Sequence, residues 1–215
     1  MSHTTPFPAM PQRPLDYWLN SDMARMAPET TTSALRDMAW SFGQWRGLAA
    51  AMTGLGMAVL GGGILAVATM PGMPGLWISL LVAGAAMLAI AVVIRSAKLP
   101  RIAHASPPQA SRAPGKTSSG VGLAVLITLA VGGPMALALG GWLSQGPGPA
   151  MSFVVVALLF LVGTASVFVA PAYCMQHARR DFRAYIARTP AVHQDLEAMS
   201  LNWHDPTGTR NFGPL

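Results

Sequence analysis

Two long stretches of this chain carry no charged residue: Gly47 to Ile94 and Thr117 to Ala178. The sequence outside them mixes polar and basic positions with short apolar groups. A helix needs about 20 apolar residues to cross the hydrocarbon core of a bilayer, so each stretch has room for two crossings. Each is broken near its middle by turn-forming residues, Pro71-Gly72-Met73-Pro74-Gly75 in the first and Gln145-Gly146-Pro147-Gly148-Pro149 in the second. The pattern predicts an all-α membrane protein with four transmembrane helices in two hairpins, near 47–70, 76–95, 120–143 and 151–173.

Ahead of the first span the period changes. Leu35, Met38, Phe42 and Trp45 fall at helical spacing, with Arg36, Asp37, Ser41 and Gln44 on other faces. Thr32 or Ser33 can cap the start, which predicts an amphipathic juxtamembrane helix over 33–46, lying among headgroups or against a neighbour and feeding into the first span. Residues 1–31 are rich in Pro, Ser and Thr and read as extended, with one apolar knot at Leu15-Asp16-Tyr17-Trp18-Leu19. After the last span, 173–188 contains no helix breaker before Thr189-Pro190, and 191–201 can form one more short helix. The chain thus divides into an N-terminal segment (1–46), a first membrane hairpin (47–95), a flexible basic linker (96–119), a second membrane hairpin (120–173) and a C-terminal tail (174–215).

Within the spans, small residues recur every fourth position. The first ladder is Ala50, Gly54, Ala58, Gly62 and Ala66; the second is Gly120, Ala124, Thr128, Gly132, Ala136 and Gly140. An offset of 70 residues lays one on the other and pairs Gly62-Gly63 with Gly132-Gly133, as a duplicated hairpin would. In lipid, burying Leu against Leu gains little over burying it in acyl chains, so helices associate where missing side-chain bulk lets backbones approach. The ladders therefore predict packing faces, with helices one and three meeting through them. Helix four, with Phe153, Val154, Val155, Val156, Leu158, Leu159, Phe160 and Leu161, is bulky and expected to face lipid or a partner.

Charge adds an orientation. All 14 basic residues lie in the N-terminal segment, at the Arg95 end of the second span, in the linker or in the tail, and none lies in either turn. By the positive-inside rule both termini are cytoplasmic. The net charge of +6 follows from that topology and from anionic headgroups, which leaves nucleic acid without a role. Arg outnumbers Lys twelve to two and Ala and Gly are abundant, a composition suggesting a GC-rich bacterial gene and hence an inner (plasma) membrane. No secretory signal pattern opens the chain, and its single cysteine, Cys174, excludes an intrachain disulfide.

Candidate chemistry is sparse. Gly61-Gly62-Gly63 and Gly132-Gly133-Pro134 interrupt helices one and three at matching positions, as binding-site helices of transporters are interrupted. No ionisable residue accompanies them, however, and Thr53, Ser79, Thr128, Thr164 and Ser166 can each satisfy themselves on a carbonyl of their own helix. His177 and Asp181 stand four apart among Arg179, Arg180 and Arg183, but a metal site wants three or four ligands and the arginines repel a cation. These arginines read instead as a collar meeting lipid headgroups. His193, His204 and Asp205 form no ligand set, and the scattered methionines are not clustered as a copper site requires. No cofactor, no metal and no catalytic group is expected.

Trp18, Trp40, Trp203 and Phe212 are aromatic residues in otherwise polar ends and are expected to dock on partners. The leading expectation is a non-catalytic integral-membrane subunit of a multi-protein inner-membrane assembly of secretion, conjugation or respiratory type. Its partners would be other membrane subunits, the bilayer and, as an option, further copies of itself. The alternative is a small oligomeric transporter or channel using the glycine-broken helices. A third reading is a membrane enzyme or lipid-binding regulator using the collar around His177.

Overall fold

The computed structural model describes residues 13–22, 26, 33–99, 116–144, 146–203 and 211–215. Every element among them is helical: α1 (Leu15–Asn20), α2 (Ala34–Thr69), α3 (Pro74–Val93, continued by a π-helical turn, Ile94–Lys98), α4 (Thr117–Leu143), α5 (Pro147–Gln176), α6 (Ala178–Arg188) and α7 (Pro190–Leu201). Four of them, α2 to α5, are long and apolar enough to cross a membrane. Turn chemistry sets their ends. Pro74 and Pro147 sit in the first turns of α3 and α5, where a missing N–H leaves no hydrogen bond unmade. Gly146, with φ of 107°, makes the reversal into α5 in a region that side chains disfavour. Thr53, Ser79 and Ser166 do return their hydroxyls to carbonyls of their own helices, at 2.7, 2.6 and 2.7 Å.

The expected juxtamembrane helix is not a separate element. α2 runs unbroken from Ala34 to Thr69, and Ser33 caps it by accepting the Arg36 N–H at 3.3 Å. No Gly or Pro between 33 and 46 forces a break, since Gly43 sits where a neighbouring helix presses close. The first turns of α2 carry their apolar face, Leu35, Met38 and Phe42, into a small helical head. That head also takes Leu15 and Leu19 from α1, Phe182 and Ile186 from α6, Val192 and Leu196 from α7, and Phe212 and Leu215 from the tail. The apolar knot expected to be extended is thus a helix, its Leu15 N–H capped by the Glu197 carboxylate at 2.8 Å. Phe42 meets Phe182 and Tyr185 at ring distances of 5.5 and 5.1 Å.

At the other end of the chain the helix expected to run through to residue 188 is interrupted at His177, whose φ of −101° and ψ of 8° divide α5 from α6. The linker's central residues, 100–115, lie outside the described residues, as do His204 and Asp205.

Candidate functional site

Helix α2 is the centre of its half of the bundle, and glycines set its distance from two neighbours. Toward α5 the close approaches are Gly47, Gly54 and Gly61. A methyl on Gly47 would stand 2.9 Å from the Pro171 Cα, one on Gly54 would overlap the Ser166 side chain, and one on Gly61 would stand 2.7 Å from Leu159. Toward α3 they are Gly56 and Gly63, facing Gly84 and Leu81. A methyl on Gly84 would stand 2.8 Å from the Leu60 nitrogen and 2.9 Å from the Gly56 oxygen, so these two helices touch backbone to backbone. Both series repeat every seven residues, the seam spacing of helices that wrap left-handedly. Of the first ladder, Gly54 is such a close approach, Ala58 and Ala66 are buried, and Ala50 is half-buried. Gly62 has nothing within 4 Å of a would-be Cβ and instead borders a cavity.

The expected pairing of helices one and three is not what forms. α5 packs on both α2 and α4 and stands as their common partner. Helix four, expected on the lipid face because of its bulky 153–161 run, is therefore central. The reason lies further along it: Gly163, Thr164, Ala165 and Ser166, then Pro171 and Ala172, give a low-relief surface that both ladders can approach. Gly163, Thr164 and Ala172 are buried.

The second ladder is used only at one end. A methyl on Gly120 would stand 2.5 Å from the Phe168 oxygen and 2.6 Å from the Ala172 Cβ. Ala124 and Thr128 then border a shallow apolar cleft of about 330 Å³ against Leu161, Thr164 and Ala165 of α5. Gly132 has only its own helix's Thr128 nearby, Gly133 and Gly141 have nothing within 4 Å, and Ala136 is exposed. The side-chain surroundings of Gly140 lie outside the described residues.

A second cavity, of about 430 Å³, opens between α2, α3 and α5. Its walls, among them Leu55, Ala58, Val59, Leu80 and Phe160, are apolar apart from Thr164. The glycine interruptions at Gly62 and Gly132 do not converge on it, since Gly132 is not part of its lining.

Where the bundle meets the head, charges are paired within the chain. Asp181 receives Arg46 at 2.7 Å and Arg180 at 3.1 Å, and its carboxylate is only 14% exposed. This arrangement links the start of α2 to α6. His177 turns its Nδ1 to the Tyr173 carbonyl at 2.9 Å and lays its ring 4.3 Å from the Tyr173 ring. Among the described residues no three His, Cys, Asp or Glu side chains are grouped to hold a metal. The arginine collar is likewise engaged internally: Arg183 donates to the Leu215 oxygen at 2.7 Å, Arg180 pairs with Asp181, and Arg179 is half-buried with a partner of its own. Asp181 and Tyr173, as acceptors beside the Arg180 guanidinium, hold its pKa above the usual range.

Three of the four aromatics expected to dock on partners are used by the chain itself. Phe212 is buried in the head, Trp203 meets it with a tilted ring at 5.6 Å, and Trp18 packs against Gly213, where a methyl would stand 2.5 Å from the indole. The cause is backbone chemistry at the start of α2. A helix leaves its first N–H groups without internal acceptors. Here Ala34 N–H and Leu35 N–H donate to the carbonyls of Asn211 and Phe212 at 3.0 and 2.9 Å, and the Ser33 hydroxyl donates to Pro214 at 2.7 Å. The Leu215 N–H closes the arrangement on the Trp18 carbonyl at 3.2 Å. Trp40 remains on the surface, 37% exposed.

No protein-family model, curated protein or solved structure matches this chain.

Proposed function

We propose that this chain is a non-catalytic subunit of a multi-protein assembly in a bacterial inner membrane. Its four spans form two hairpins, with both chain ends and the head in the cytoplasm. The observation that carries the reading is the state of α4. It packs on the rest of the molecule through α5, while in its second half no other helix comes within 4 Å of a would-be Cβ on Gly132, Gly133 or Gly141, and Ala136 is exposed. Bare small-residue surface is where helix association in lipid is most favourable, because it permits close contact that acyl chains fill poorly. The head supports the same reading: a folded unit at the membrane surface with Trp40 exposed suits recognition by other subunits.

The test is extraction in a mild detergent followed by a native gel and identification of co-purifying chains. The intact chain migrates within a larger complex, and Gly133→Leu releases it as a folded monomer. A wild-type chain that emerges as a lone monodisperse monomer would remove the proposal.

A further inference from the structure

One basic residue at the head end of the bundle behaves unlike the others. Arg95 lies in the π-helical turn that ends α3, and its Nη2 donates to the Thr53 hydroxyl at 3.3 Å. Thr53 is seven residues beyond Arg46 on α2, about 10 Å further along the helix axis. Arg46 marks the level at which charges are paired, through Asp181. The Arg95 guanidinium is thus drawn away from that level and along the exposed surface of the bundle toward its charge-free part. Helix geometry drives this: side chains lean toward the N-terminus of their own helix, and that of α3 lies at the far turn. A long basic side chain at a membrane boundary ordinarily bends its head toward water.

Arg95 has no carboxylate within ion-pair distance among the described residues, and Thr53 is its hydrogen-bonding partner there. A guanidinium carries five N–H donors, and Arg95 is exposed, so those not turned to Thr53 are open to a ligand. Leaving a charge unmatched beside apolar surface is costly, and an anion that fits the planar fork removes the cost. Val92, one turn outward and on the same face, is 63% exposed and offers apolar surface to an acyl chain. We infer that Arg95, steered by Thr53, binds the phosphate of an anionic phospholipid beside the end of α3, with an acyl chain along Val92. This site stands apart from the collar of α6, and it is independent of the assembly reading above.

Phosphate could reach the fork as a lipid headgroup or as the free ion, and the experiment separates the two. The full chain in mild detergent is titrated with phosphatidylglycerol, with phosphatidylcholine and with sodium phosphate, and bound lipid is counted by native mass spectrometry. Phosphatidylglycerol is retained over phosphatidylcholine, and Arg95→Gln lowers its retention about tenfold, the weight of one charge-assisted pair. Thr53→Val keeps the charge but loses the steering and lowers retention about threefold, a smaller hydrogen-bond effect. Arg188→Gln, at an exposed position on α6, leaves retention unchanged, and millimolar sodium phosphate does not displace the lipid. Unchanged retention in Arg95→Gln would overturn the site, as would an equal loss in Arg188→Gln. Displacement by sodium phosphate would overturn its assignment to a lipid. A thermal melt in phosphatidylcholine shows whether Arg95→Gln is folded; if it is not, the Thr53→Val result decides.

Discussion

Helices α2 and α4 carry the same ladder of small residues, yet the molecule uses them in opposite ways. α2 is held on two sides, by α3 through Gly56 and Gly84 and by α5 through Gly47, Gly54 and Gly61, and its first turns are part of the head core. α4 is held on one side, by α5, with its closest approach at Gly120. A small-residue stripe therefore marks capacity for close packing without saying what fills it. In α2 the chain fills it; in α4 the surface stays open.

Four substitutions sharpen that contrast, from the largest effect to the smallest. At the head end of α2, Phe42→Ala removes a buried ring packed on Phe182 and should cost about 3–5 kcal/mol in unfolding free energy, read by denaturant titration in detergent. Gly84→Leu forces bulk between two touching backbones and should cost about 3 kcal/mol, the upper end for overpacking, with separation of α2 from α3 visible in a distance measurement between spin labels. Ser33→Ala removes both the α2 cap and the hydroxyl that holds Pro214. It should cost about 1 kcal/mol and raise hydrogen exchange at Ala34 and Leu35. Gly133→Leu on α4 should change the melting of the isolated chain by less than about 0.5 kcal/mol, because no neighbour lies within reach. A large loss in that last variant would mean that α4 is packed within the chain after all.

Much of the membrane part was legible because it rests on one-dimensional quantities. Charge-free length marks a span, and the two Gly/Pro clusters mark the turns. Ser33 as a cap and Thr189-Pro190 as a helix boundary follow from local backbone chemistry. Pairing was not legible in the same way. A four-residue ladder describes one helix's surface and is silent on its partner, and in Ala/Gly-rich sequence several stripes coexist. The seven-residue series Gly47, Gly54, Gly61 was present beside the ladder, and the Gly163-Thr164-Ala165-Ser166 run marked α5 as an approachable helix. Either signal could have displaced the expected contact between helices one and three.

The head was hidden for a different reason. Its core draws Leu15, Phe42, Phe182, Leu196 and Phe212 from segments separated by the spans, each too short to show a core of its own. The docking of residues 211–215 depends on main-chain N–H groups of Ala34 and Leu35, which any residue but proline would provide. Trp203 and Phe212 were visible as out-of-place aromatics; what they touch was not.

The open face of α4 is tested most directly by site-specific cross-linking in native membranes. In a Cys174→Ser background, a benzophenone attached to Gly133→Cys should capture another chain, while the same probe on Trp40→Cys reports the head surface. Adducts confined to lipid at Gly133, with none to protein, would contradict an α4 surface built for assembly.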